Sequence, residues 1–129
     1  MWRVSIRLEG LEHKNPIPAA SRVGNLLMSG LISGVDPATG QLGASLGEQA
    51  THMFAQMRRI LAAAGATAED VIKVTVWMAD RSQRAAINPA WLAMFPDEAS
   101  RPARQTMTAE LDAGKFVQCD FVAVLQAAS

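Results

Sequence analysis

Residues 45–78 read SLGEQATHMFAQMRRILAAAG and then ATAEDVIKVTVWM, two periodicities set back to back. In the first part Leu46, Ala50, Met53, Phe54, Met57, Ile60, Leu61 and Ala64 recur at steps of three and four. That spacing lines one face of an α-helix. Glu48, Gln49, His52, Gln56 and Arg59 fall on the remaining faces. Ser45 and Glu48 have capping-box spacing, and Gly65 is placed to end the helix over residues 45–64. In the second part β-branched residues alternate at period two. Ile72, Val74, Val76 and Met78 share one face of a predicted strand, and Val71, Lys73, Thr75 and Trp77 the other. An amphipathic helix leading into a strand sets the pattern for the rest of the chain.

Upstream, Trp2, Val4, Ile6 and Leu8 alternate with Arg3, Ser5 and Arg7, a half-buried strand over residues 2–8. A loop with two prolines spans residues 15–21, and short strands are expected at 22–24 and 26–29, with Gly30 ending or bulging the second. Asp36-Pro37-Ala38-Thr39-Gly40 is a turn, because Pro fixes φ and Gly permits a positive one. Downstream, a second helix is predicted over residues 82–95, with Ile87, Trp91, Met94 and Phe95 as its apolar stripe. Pro89 interrupts it and predicts a kink or a late start near Asn88. Strands at 104–109 and 116–125 close the chain around a loop at 112–115.

The order is βββαβαββ, and two amphipathic helices can cover the same face of one sheet. With Val117, Cys119, Phe121, Ala123 and Leu125 turned to the helices, Phe116, Gln118, Asp120, Val122 and Val124 turn away, as does Trp77. A second copy packed on that mixed face would explain its apolar share; a plain solvated face is the alternative.

At 129 residues the chain holds one domain, residues 1–129. Its formal net charge of +0 speaks against nucleic-acid binding, which draws on a basic surface. No apolar run is long enough for a membrane span, and Arg3 interrupts the place of a secretion signal. A cytoplasmic location is therefore expected. Cys119 is alone, which excludes an internal disulfide and a multi-cysteine metal site. No metal or cofactor is called for.

Few residues could carry chemistry. His13 lies in a loop without a partner by spacing, and His52 falls on the polar part of the first helix. Cys119 alternates onto the helix side, where a thiol is packing. Arg104 differs. It stands in Arg101-Pro102-Ala103-Arg104-Gln105-Thr106 at the entrance to a strand. A guanidinium fork matches a carboxylate bidentately and keeps its charge. From spacing alone, a bound small acid and an ordinary pairing with Glu98, Asp120 or another acid stand level.

In order along the chain, Val23-Gly24-Asn25, Ser29-Gly30, the turn at Asp36 to Gly40, residues 60–65, residues 70–76, Ala79-Asp80, Asn88, Phe95-Pro96 and Pro102-Ala103-Arg104 resemble the Rid (YjgF-like) family over about residues 16–125. The resemblance implies an α+β fold similar to chorismate mutase, a mixed β-sheet with two helices packed on one face. It implies a homotrimer with clefts between subunits, and it makes Arg104 the residue that grips a substrate carboxylate. Ser29, Gly30, Asn88 and Thr106 match positions lining the family's cleft, with Gln105 and Ile17 beside them.

The chain also departs from the family. The Glu that activates water on the last strand is Gln118, the bordering Tyr is Ile17, and the Cys two residues past the Arg is Thr106. An amide holds water but accepts no proton near neutral pH. Two expectations follow from the resemblance. One is hydrolysis of small 2-imino or enamine acids to 2-keto acids and ammonia, with Arg104 anchoring the carboxylate and Gln118 orienting water. The other is a trimer that binds a keto acid or amino acid without turnover. Ribonuclease activity, attached to some relatives, is disfavoured by the zero net charge and the lack of a histidine pair.

Overall fold

In the computed structural model, which describes residues 1–126, the long helix forms where its periodicity places it, as α1 (Leu46–Ala63). Ser45 Oγ accepts from Glu48 N at 3.1 Å, while Glu48 Oε2 accepts from Ala44 N one residue beyond the expected box. At the far end Gly65 takes φ +77°, with Gly65 N donating to Ala62 O and Ala66 N to Leu61 O. Those two bonds are a Schellman closure.

The strands are β1 (Arg3–Ile6), β2 (Ala20–Val23), β3 (Leu26–Ser29), β4 (Ile32–Ser33), β5 (Val71–Met78), β6 (Ala103–Thr108) and β7 (Val117–Val124). They form one mixed sheet in the order β1-β2-β3-β7-β5-β6, with β4 following β3 along the same side of β7. Only β5 and β6 run parallel; the other pairs are antiparallel. The order therefore differs from expectation by β4, two residues too short to show any periodicity. The second helix, α2 (Asn88–Met94), starts late with Pro89 in its first turn, after a 3-10 stretch at Arg81–Ile87.

α1 and α2 pack on the face formed by Leu27, Val74, Val76, Val117, Cys119, Phe121 and Ala123, all essentially without solvent exposure. The opposite face carries Phe116, just before β7, and Gln118, Asp120, Val122 and Val124 from β7, as the alternation predicted.

Three details correct the periodicity. Gln49 and Gln56 are buried within α1's packed side rather than on its polar faces. Gln49 donates to Gly43 O and Gly114 O and accepts from Phe116 N, so one side chain ties two loops to the helix. Gln56 donates to Val35 O at 2.8 Å. The loop beside Gln49 runs so close that a Cβ on Gly43 would lie 2.8 Å from Gln49 N.

The second correction lies in β5, where the register shifts between Val71 and Lys73. A bulge adds one residue and breaks the alternation. Val71 turns into the core and Ile72 is pushed to the surface, while Lys73, Thr75 and Trp77 keep to the open face.

In β1, the third, only Ile6 is buried; Trp2 and Val4 are exposed. β1 is an edge strand. Val4 pairs with Arg22, whose Nη1 donates to Ala64 O at the end of α1, so β2 ties the helix end to the sheet.

Candidate functional site

β6 begins just past Pro102 and forms one edge of the sheet. Parallel pairing sets Arg104 beside Val74 and Thr106 beside Val76, which places both side chains on the helix side. There the helix layer supplies two contacts. Trp91 of α2 lies beneath the guanidinium, with Arg104 Cζ 4.9 Å from the ring centroid. Asn88, the first residue of α2, accepts from Arg104 Nη2 through Oδ1 at 2.9 Å. The approach to Asn88 is itself braced. Asp80 Oδ1 accepts from Ser82 Oγ at 2.6 Å and from Ser82 N at 3.0 Å. Those bonds hold the Asp80 carboxyl below its ordinary value.

Arg104 is half-buried, and desolvation lowers its pKa from the ordinary value. A guanidinium nevertheless stays charged at any working pH. Among the described residues no carboxylate lies within ion-pair distance of it; the pair recorded is Lys115–Asp112 at 3.7 Å. Of the acids considered as rivals, Glu98 is exposed and forms no ion pair with Arg104. Asp120 lies on the opposite face and accepts from Trp77 Nε1 at 2.8 Å. The guanidinium is thus a partly desolvated, oriented cation without an internal counterion among those residues.

The other candidates fall elsewhere. Gln118 sits on the open face opposite Trp77, and its Nε2 donates to Ser33 Oγ at 2.9 Å. That bond leaves the Gln118 carbonyl oxygen as the acceptor. Gln105 also turns to the open face, within 3.4 Å of Thr75 Oγ1. Ser29 Oγ accepts from Phe121 N at 2.9 Å and fills the gap between β3 and β4 in the ladder to β7. Gly30 N donates to Ala19 O. Ile17 is exposed in the preceding loop.

Within the chain the named residues therefore form two groups. Arg104, Asn88 and Thr106 gather at the β6 rim on the helix side. Ser29, Gly30 and Gln118 lie along the β3–β4 side of β7, with β5 standing between the groups. Two strand spacings, on the order of 10 Å, separate Arg104 from Gln118, and Ser29 lies one strand further; the sheet itself also intervenes between Arg104 and Gln118. A hollow of about 340 Å³ beside the end of α2, lined in part by Met94, Phe95, Asp97 and Arg101, takes in neither residue.

Reading the sequence missed Trp91 as the platform for Arg104. Its period placed it correctly in the core stripe, but a contact between residues 91 and 104 on different elements leaves no local spacing. Ser33 was missed for the same reason. Among the described residues no group of three or more His, Cys, Asp or Glu could hold a metal, and no helix is long and apolar enough to cross a membrane.

Comparison with known proteins agrees with this architecture. A family model described as Endoribonuclease L-PSP matches residues 13–124. A RutC family protein from Aquifex aeolicus is 33% identical over 118 residues, covering 86% of this chain and 94% of that protein. The 2-iminobutanoate/2-iminopropanoate deaminase of Escherichia coli is 29% identical over 104 residues, 79% of this chain and 81% of that one. The crystal structure of the YjgF gene product from Escherichia coli superposes with a TM-score of 0.84 at 25% identity, over 94% of this chain and 98% of that chain. With its mixed sheet under two helices and a family match over nearly its whole length, the chain belongs to the YjgF/Rid family.

Proposed function

We propose that this protein hydrolyses small 2-imino and enamine acids to 2-keto acids and ammonia, in clefts between the subunits of a homotrimer. The observation that carries the reading is Arg104, half-desolvated, held by Trp91 and Asn88, and without a carboxylate partner among the described residues. Such a cation is stabilised by an acid arriving from solution, and its planar fork suits a carboxylate. The relative named 2-iminobutanoate/2-iminopropanoate deaminase supports the choice of substrate class.

The split between the two groups of residues supports a shared cleft. A ligand cannot touch Arg104 and Gln118 of one protomer through the sheet, but the β6 rim of one copy set against the open face of the next would bring them together. The open face is suited to such packing, since Leu26, Met28, Met107, Phe116 and Val124 leave apolar surface uncovered.

In the reaction, an enamine acid first becomes the imine by taking a proton from solvent at its β-carbon and losing one from nitrogen; Arg104 fixes the carboxylate and so places the C=N carbon. A water held by the Gln118 carbonyl adds its oxygen to that carbon, and its protons pass through solvent to the nitrogen. The carbinolamine then expels ammonia and leaves the keto acid. Positioning alone lowers the barrier of a reaction that also runs unaided.

Gln118 favours a second reading, in which the same cleft binds a keto acid or amino acid without turnover, because an amide cannot remove a proton from water. The discriminating experiment generates 2-aminoacrylate in situ and follows ammonia release. The deaminase reading expects faster release than the spontaneous rate and its loss in Arg104→Ala. Binding of pyruvate by a protein inert toward a panel of imino acids would establish the second reading.

A further inference from the structure

Trp91 is read by its periodicity as a core residue, and the core does hold it: its exposure is 8%. Its ring meets Phe54 edge-on at 6.1 Å and Phe95 at 4.7 Å, so two aromatic neighbours on α1 and at the end of α2 fix its plane. The ring is nevertheless also in contact with a charge, the Arg104 guanidinium at 4.9 Å from its centroid. An aromatic quadrupole attracts a cation over its face, and the attraction grows as water is excluded.

We propose that Trp91 is a positioning residue for carboxylate recognition: it presents the Arg104 guanidinium to the ligand, and Asn88 sets its rotation. The inference rests on the reading of Arg104 as the carboxylate anchor and deepens it. One contact fixes the tilt of the guanidinium plane. The other, from Nη2 to Asn88 Oδ1, fixes its rotation within that plane. Nε and Nη1 then have no acceptor among the described residues, and Nη2 keeps a second hydrogen, so a fork of Nη2 with Nε or with Nη1 remains for a bidentate carboxylate. An arginine side chain is otherwise free about several bonds, and each freedom lost on binding weakens affinity. The rigid indole removes that loss before the ligand arrives.

The test reads the guanidinium first and the ligand second, in the full-length protein. Arg104→Lys identifies the Arg104 Nε–Hε resonance by its disappearance. In the wild type that proton is shifted upfield by the indole ring current; Trp91→Leu returns it to the position of a free arginine, and Trp91→Phe keeps part of the shift. Pyruvate titration then follows. Trp91→Leu weakens binding roughly two- to fivefold, and Trp91→Phe weakens it less, because a ring face remains. In an Arg104→Ala background Trp91→Leu causes no further loss.

Phe95→Leu is the control for packing. It loosens the same aromatic stack without touching the guanidinium, so it lowers the melting temperature but leaves pyruvate affinity unchanged. An unshifted Arg104 proton in the wild type overturns the inference. So does equal weakening by Trp91→Leu and Phe95→Leu, or weakening by Trp91→Leu that persists without Arg104. A shifted proton in a protein that takes up no pyruvate instead overturns the carboxylate reading, and this role with it.

Discussion

Arg104 and Gln118 project from opposite faces of the same sheet, one beneath the helix layer and one beside Ser33 on the open side. Both derive their direction from strand parity. Arg104 pairs with the core residue Val74, and Gln118 with the outward-facing Trp77. Any account that uses both residues on one small molecule therefore needs two copies of the chain.

On the proposed reading, that requirement makes assembly a condition for activity. Charged substitutions on the open face, Met28→Lys or Val124→Glu, leave the helix-side core untouched while burying an unpaired charge in the proposed contact. Sedimentation is expected to give three protomer masses for the wild type and a single mass for the variants. Ammonia release falls to the spontaneous rate in parallel.

Asn88→Asp tests the empty place beside the guanidinium. The new carboxylate would sit where Asn88 Oδ1 already lies 2.9 Å from Arg104 Nη2, and would form an internal ion pair. Carboxylate affinity is expected to fall at least roughly tenfold with no loss of thermal stability, because the pair satisfies the charge from within. Pyruvate calorimetry beside a thermal melt checks both halves.

Gln118→Glu restores a proton acceptor to the open face. Turnover of 2-aminoacrylate is expected to rise, and it acquires a pH dependence additional to that of the wild type. The carboxyl must be ionised to accept a proton, so the added rate is lost as pH falls through its titration and is full above it. Rate profiles of the two proteins from acid to neutral pH measure the difference.

Cys119 is fully buried, and burial pushes its thiol well above the usual range, with the nearby Asp120 charge acting in the same sense. Its folded pKa is raised, so the associated stability is present below the unfolded thiol pKa and is lost as pH rises through and beyond it. Native protein is therefore expected to resist alkylation at mildly alkaline pH and to react fully once unfolded. Mass spectrometry after timed iodoacetamide treatment reads this directly.

Gln49→Leu removes the side chain that joins Gly43 O, Gly114 O and Phe116 N to α1. It leaves buried backbone groups unpaired, at a cost of about 2–4 kcal/mol. Urea unfolding shows a lowered midpoint with unchanged slope. Substitution of Glu12, which among the described residues bonds only Gly10 N on the exposed loop, changes the midpoint little.

Much of this fold is legible in the sequence because local rules and tertiary demand agree. α1 has its period, its serine cap and its glycine stop, and β7 alternates without a break. The sequence is silent where one residue changes parity or a polar side chain is satisfied at long range. The bulge at Ile72 inverts the faces of Val71 and Ile72, and nothing in a β-branched run marks it. Gln49 and Gln56 look like surface residues because their partners lie in distant loops. For the site, Arg104 was visible as a type of residue at a strand entrance. Its support by Trp91, and its separation from Gln118 by the sheet, arise only when strand order and parity are known.

A crystal structure of the protein soaked with 2-oxobutanoate tests the central claim most directly. The account predicts the ligand carboxylate on Arg104 of one subunit, above Trp91, with the keto carbon facing a water held by a neighbouring subunit's copy of residue 118. A ligand bound away from Arg104, or Arg104 closed onto a carboxylate of its own chain in a lone protomer, would contradict it.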